Sequence, residues 1–222
     1  MNKLNIDNIK EAKIGLNSFT PVQLLGKGSF GEVYLVKKKT TNKLYAMKII
    51  SKNMIIGQNI TKYVYTEKNI QSILKHPFIV RLYCAFQTKT KLVMVMDYCK
   101  GGDLGYVLQR EKKLSEDRAR IYLAEVLLAI SELHSREIIY RDLKPDNVVL
   151  DEDGHALLTD FGLSKEGMKG TEFTQSFCGS VAYLAPEMLR RSGHGRTVDW
   201  YLLGVLLYEM LVGIPPYFNR NK

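Results

Sequence analysis

The stretch YRDLKPDN, residues 140–147, places a carboxylate at Asp142, an ammonium at Lys144 and a carboxamide at Asn147 within six residues. Apolar residues flank it, Ile138 and Ile139 before and Val148 to Leu150 after. Pro145 forbids a continuous helix here and biases Lys144 toward an extended conformation. The pattern predicts a rigid loop held between buried segments, and charges in such a place need partners or a task. A second acid, Asp160, follows in TDFG. A carboxylate at a strand end, followed by an aromatic residue and a glycine, suits a metal site beside a hinge. Asp160 with Asn147 gives two hard oxygen ligands, and Mg²⁺ takes few protein ligands plus substrate phosphates. By itself the DFG triplet is a turn and no more.

Upstream, GKGSFGEV carries Gly26, Gly28 and Gly31 in the pattern G-x-G-x-x-G. In a dinucleotide-binding fold the third glycine opens a helix. Here the strand-like EVYLVKKK follows, so the loop is the tip of a hairpin. Backbone amides freed by glycines can close over phosphates there, and Val33 can cover a base. Lys48, in AMK, would pass for a solvated strand lysine were it not for Glu67, the only acid between Glu32 and Asp97. A lone acid on a helix in a basic region is a natural partner for one buried lysine, and the pair would hold an ammonium against phosphate oxygens.

These residues need elements to position them. Phe19–Lys27, Glu32–Lys38 and Lys43–Ile50 read as short antiparallel strands. Residues 60–74 carry apolar side chains at helical spacing. Ile79–Phe86 and Lys91–Met96 read as further strands. Ser115 caps a long helix running through His134, with Glu116 and Asp117 in its first turn; this helix is apolar on nearly all sides after Ile121 and is expected to be buried. Residues 198–214 are too short for a membrane span, contain Asp199 and Glu209, and end in Pro215-Pro216, so a core helix is expected. The fold class is α+β with two lobes: a small β-rich lobe over residues 18–98, after a lead-in of 1–17, then a mostly helical part over 99–222, with a hinge near Asp97 to Gly102.

Charge supports the division. The net +9 of the 222 residues is made of +11 between Val33 and Met96, −3 from Asp97 onward, and the remainder in the first 32 residues. The lysines are scattered, with no dense basic run or aromatic interleaving, so a solvated surface is expected rather than nucleic-acid binding. Cys84, Cys99 and Cys178 show no CxxC spacing and read as reduced thiols of an intracellular protein. The N-terminus lacks the apolar core of a signal peptide, and Asn2 excludes a myristoylated glycine. A cytoplasmic and also nuclear location is the expectation, with no transmembrane segment.

Taken in order, the glycine-rich loop, AMK, the helix glutamate, YRDLKPDN, DFG, APE and DW resemble the eukaryotic protein kinases over residues 18–218. Tyr140, EDRARIYLAE, DGHALLTDFGLSKEG and SFCGS resemble the AGC group in particular, near protein kinase B and the serum/glucocorticoid-regulated kinases. The resemblance implies a serine/threonine kinase using Mg²⁺ and ATP. It implies that Lys48, held by Glu67, contacts the α- and β-phosphates, Asp142 accepts or orients the substrate hydroxyl, Lys144 steadies the transferred group, and Asn147 and Asp160 hold magnesium. ATP would lie among Leu25, Gly26, Lys27, Gly28, Ser29, Phe30, Gly31 and Val33 of the loop, with Ala46, Leu104 and Val149 around the base, Met96 behind it, the backbone of Asp97 and Cys99 at its edge, Asp103 at the ribose and Thr159 nearby. Asp103, Asp146 and Glu209 would bind basic substrate side chains; Phe177, Val181 and Leu184 would floor an apolar pocket. Ser176 is the implied activation phosphosite for an upstream kinase, its phosphate paired by Arg141 and Lys165, while Ser180 bridges Asp142 and Lys144.

Three positions depart from the group's pattern. Gln71 stands where an apolar residue normally stacks on the phenylalanine of DFG, Tyr63 replaces a phosphate-binding histidine, and Val181 with Ala182 alters the docking floor. The resemblance further implies that more helices follow Lys222, one of them carrying an arginine partner for Glu187, and that these residues are a fragment poorly stable alone. A catalytically dead scaffold and a basic nucleic-acid module are the competing readings. The first is disfavoured because every catalytic group is present, the second by the scattered lysines.

Overall fold

Runs rich in β-branched and aromatic residues build three antiparallel strands, β1 (Phe19–Gly28), β2 (Gly31–Lys38) and β3 (Leu44–Ser51). They belong to a computed structural model that describes residues 14–28, 31–55, 60–170, 172–175 and 178–218. A short helix α1 (Lys52–Ile55) and the helix α2 (Ile60–Ile73) follow. Strands β4 (Leu82–Gln87) and β5 (Lys91–Asp97) then complete a five-stranded sheet of order β1-β2-β3-β5-β4. The register sets Lys48 between Val33 on β2 and Met94 on β5. Val64 of α2 packs with Ile50 and Met94, which docks the helix on the sheet.

The strand expected at Ile79–Phe86 begins three residues later. Ile79 forms an isolated parallel bridge with Leu158, and the Val80 N–H donates to the Leu158 carbonyl at 3.0 Å. That segment is therefore tied to the helical half before the chain enters the sheet.

Beyond the sheet, β6 (Gly102–Asp103) leads into α3 (Leu104–Glu111), where the Asp103 carboxylate accepts the Tyr106 N–H at 2.7 Å. Helix α4 (Glu116–Ser135) is capped by Ser115, with Glu116 and Asp117 in its first turn, as its sequence predicts. Its burial is less complete than expected. Ala119, Val126, Ala129, Ile130 and Leu133 are buried, but Ile121, Leu127 and Leu128 are exposed. Full apolar coverage of a helix does not force full burial where packing elements meet only one side of it. Strands β7 (Val148–Leu150) and β8 (Ala156–Leu158) join β6 in a small sheet. Helices α5 (Pro186–Leu189) and α6 (Thr197–Val212) follow.

The main core gathers α3, α4, β7, β8 and α6 around side chains such as Leu104, Ile130, Leu133, Leu158, Phe161 and Leu206. Phe19, Val36, Tyr45, Met47, Val93 and Val95 form a separate cluster in the five-stranded sheet. Among the described residues, no helix is long and apolar enough to cross a membrane.

Candidate active site

A cleft of about 960 Å³ separates the sheet from the helical half. Leu25, Gly26, Gly31, Val33, Ala46 and Lys48 line it from the sheet, and Met96, Asp97, Cys99 and Asp103 line the connection. Asp142, Lys144, Asn147, Val149, Thr159 and Asp160 line it from below. The sequence-predicted residues thus converge, with exceptions. Lys27 turns its ammonium to Glu32 at 3.4 Å and stays exposed. Leu104 is fully buried in the main core and does not face the cleft. Ser29, Phe30, Ser176 and Phe177, and the side chain of Tyr63, lie outside the described residues.

The three glycines of the loop do different things. A Cβ on Gly31 would stand 2.2 Å from the Ile49 carbonyl oxygen of β3, so β2 and β3 meet there only because a side chain is missing. A Cβ on Gly26 would meet nothing within 4 Å. Gly26 faces the open cleft, and Gly28 pairs with Gly31 where the hairpin turns.

On β3, the Lys48 ammonium donates to both carboxylate oxygens of Glu67, at 2.7 and 2.8 Å, and stands 3.7 Å from Asp160. Burial works against charge on Lys48, but the carboxylates of Glu67 and Asp160 outweigh it and its pKa is raised. Burial raises Glu67 as well, against the opposing pull of Lys48. The geometry is that of an ion pair, and parting a buried pair leaves an uncompensated charge at a cost of about 3–5 kcal/mol.

On the other wall, Asn147 donates both amide hydrogens to Asp142, one to its carbonyl at 2.7 Å and one to its carboxylate at 2.8 Å. Lys144 lies 3.2 Å from the same carboxylate and donates to the Ser180 hydroxyl at 3.4 Å. Burial raises the Asp142 pKa, with Lys144 and Asn147 opposing. A carboxylate so raised is a better proton acceptor than an ordinary aspartate.

The loop between these walls is strained. Arg141 and Asp160 adopt left-handed backbone angles, φ 70° and 57°, costing of order 1–3 kcal/mol each. Asp199, fully buried at the start of α6, holds the loop in place. It accepts the N–H of Tyr140 at 2.9 Å and of Arg141 at 2.8 Å, and pairs with the His134 ring at 2.7 Å. The Tyr140 hydroxyl donates to the Thr159 carbonyl at 2.5 Å, tying the loop to the residue before Asp160. Sequence reasoning noticed Asp199 as an obstacle to membrane insertion and as part of the DW motif, and gave it no partners. Its signal was a lone acid in the first turn of an otherwise apolar helix, which must be buried and so must have partners.

Asn147 and Asp160 suit a hard divalent cation. The Asn147 hydrogens are both engaged by Asp142, so its carbonyl oxygen is the atom left to meet a metal, and Asp160 offers a half-exposed carboxylate in the same cleft. Among the described residues, no group of three or more His, Cys, Asp and Glu gathers as a protein-only metal cage.

A second hollow of about 710 Å³ is lined by Asp103, Asp146 and Glu209 together with Tyr106, Tyr183 and Ile214. The Tyr183 hydroxyl donates to Glu209 at 2.7 Å. Val181 is exposed, but Leu184 is buried against Ile139, Met188 and Val198 and offers little surface. Arg141 is buried, and its Nε donates to the Leu163 carbonyl at 2.8 Å. Lys165 pairs with Ile139 through its backbone. Burial lowers the His194 pKa, with the charges of Arg141 and Lys165 adding to the effect and those of Glu187 and Asp199 opposing it.

The family model described as the protein kinase domain matches residues 19–222. The chain belongs to the protein kinase domain family. This kinase domain is 49% identical over 213 residues to the RAC family serine/threonine-protein kinase homolog of Dictyostelium discoideum, covering 96% of the chain and 48% of that protein. It is 50% identical to Protein kinase 2 of the same organism, over 92% of the chain and 43% of the relative. Serine/threonine-protein kinase Sgk1 of Homo sapiens is 48% identical over 92% of the chain and 48% of its own length. The chain thus spans about half the length of the curated relatives it matches.

Proposed function

We propose that this kinase domain transfers the γ-phosphate of ATP to serine or threonine hydroxyls of proteins. The observation that carries the reading is the cleft in which Lys48, paired at 2.7 Å with Glu67, faces Asp160, Asp142, Lys144 and Asn147. Residues 18–98 form the small lobe in this reading and residues 99–222 the hinge and part of the large lobe. The relatives named as serine/threonine kinases support the hydroxyl specificity.

The work of the protein is positioning and charge neutralisation. Val33, Ala46 and Val149 sandwich the base, and the connection at Asp97 and Cys99 presents backbone groups to its edge. Lys48, fixed by Glu67, orients the phosphates. The substrate hydroxyl attacks the γ-phosphorus, the bond to the bridging oxygen breaks, ADP leaves with the electron pair, and the proton passes to Asp142. Lys144 steadies the phosphoryl oxygens during transfer. Magnesium, held by Asn147 and Asp160 when bound, neutralises phosphate charge.

The acidic hollow at Asp103, Asp146 and Glu209 supports a preference for substrates with arginine or lysine before the acceptor. The backbone pairing of Lys165 with Ile139, two residues before Arg141, supports a site for a phosphate on Ser176, added by an upstream kinase. The test is transfer of labelled phosphate from ATP to a peptide library, with Asp142→Asn as control. Arg-rich serine and threonine peptides are expected to be labelled, and the control to lose activity. Absence of transfer to any peptide would sink the activity, and a win for acidic or proline-directed peptides would sink the basic preference.

A further inference from the structure

Gln71 lies on α2 one helical turn beyond Glu67, and only 2% of it is exposed. Its Nε2 donates to the Met96 sulfur at 3.5 Å, a weak acceptor. Its Oε1 is buried and has no hydrogen-bond partner among the described residues. The surroundings offer no reason for polarity. Ile70 and Leu74 of the same segment are buried in the main core, and Met96 clusters with Val80 and Leu157. A buried amide oxygen without a donor carries a desolvation penalty that a hydrophobic side chain of the same length would avoid.

That penalty belongs to one arrangement of α2, the one in which Glu67 reaches Lys48 at 2.7 Å. A swing of the helix that parts Glu67 from Lys48 also carries Gln71, one turn along, away from Met96. The amide can then find water, so the swing relieves its penalty. A hydrophobic residue at the same position would gain nothing from it.

We infer that Gln71 is a positioning residue that biases α2 against the Lys48-paired arrangement, and so lowers nucleotide affinity without touching the nucleotide. The inference rests on the reading that the cleft binds Mg-ATP. Only the fraction of molecules with Lys48 in place binds well, and apparent affinity falls in proportion to that fraction. The side chain thus acts from behind Met96, through Glu67, on an ammonium it does not meet.

The experiment is titration of the full-length protein with a non-hydrolysable ATP analogue and magnesium, with Gln71→Met and Gln71→Leu beside the wild type. Methionine keeps the length and flexibility of glutamine and removes the amide. Both variants are expected to bind about three- to tenfold more tightly, the share of an orphaned carbonyl's penalty that the helix swing relieves. In a Glu67→Gln background, where the ion pair is already weakened, the same substitutions are expected to bring no gain. Binding by the wild type with no change in either variant overturns the inference alone. Failure of the wild type to bind at all overturns the functional reading and the inference together. A higher melting temperature with unchanged affinity makes Gln71 merely structural and overturns its positioning role. So does a gain that survives undiminished in the Glu67→Gln background, or a lower melting temperature in both variants.

Discussion

At the scale of single residues, the site works through charges whose environments differ. In the proposed mechanism Asp142 must be ionised to take a proton. Burial raises its pKa above the usual 3.8, so kcat/KM is expected to fall as pH drops through a limb placed higher than an ordinary aspartate would give. Lys144 opposes that shift, and Lys144→Ala should therefore move the limb further up. A pH profile of the wild type and the variant, with a limb that stays put or moves down, would remove Asp142 from the role of base. Lys48 and Glu67 make a different case, because neither tolerates the loss of the other. Lys48→Met is expected to destabilise by about 3–5 kcal/mol, since Glu67 is left buried and unpaired. Adding Glu67→Gln removes the orphaned charge. Thermal unfolding should recover in the double variant while phosphate transfer stays absent, and a double variant no more stable than Lys48→Met would show that the pair is not what holds this wall together.

At the scale of elements, most of the fold was legible because its signals are local. Short runs rich in β-branched and aromatic residues, separated by glycine or by TTN, predicted β1, β2 and β3, the apolar spacing of residues 60–74 predicted α2, and Ser115 with Glu116 and Asp117 marked the start of α4. What stayed hidden depends on partners distant in sequence. Ile79 looks like the start of a strand, yet it pairs with Leu158, and nothing near Ile79 in the sequence announces that. The faces of α4 that bury Val126 and expose Leu128 read alike, because hydrophobicity does not say which neighbour arrives. The motifs gathered the cleft, but they did not show Asp199 accepting the N–H groups of Tyr140 and Arg141. Leu104 failed for the same reason: its position in the chain fits the cleft, and its side chain points into the core. A link of this hidden kind joins α4 to the turn after β7. Glu125 accepts the Ala156 N–H at 2.7 Å and meets the His155 ring at 2.6 Å. The hydrogen bond to Glu125 and its charge raise the His155 pKa. The resulting stability is fully present below the unfolded value near 6.5 and lost as pH rises through the folded one. Melting temperatures of the wild type and His155→Ala, followed from about pH 5 to pH 8, should differ most at the acid end. A constant difference would remove the proton from the account.

At the scale of the molecule, the sheet and the helical half hold distinct apolar clusters within one chain. The cluster around Met47, Val93 and Val95 is separate from the one around Leu133 and Leu206. The only tryptophan, Trp200, stacks edge-on against His134 at 4.7 Å in the helical half, so its fluorescence reports on that half alone. Met47→Ala should cost about 2–5 kcal/mol in the sheet. Its effect on the circular dichroism transition should exceed its effect on the Trp200 transition. If both midpoints moved together, the halves would unfold as one unit and the separation of their cores would carry no energetic meaning.

The glycine-rich loop has a consequence for how its sequence can drift. Gly31 is compelled by the Ile49 carbonyl of a neighbouring strand, Gly26 only by whatever enters the cleft. One signature is therefore under two selections. In a saturation library scored separately for cellular abundance and for phosphate transfer, substitutions at Gly31 should vanish from the abundant pool. Those at Gly26 should remain abundant and lose transfer. A lineage that gave up catalysis would be free to lose Gly26 first, while Gly31 persisted for as long as the sheet was kept.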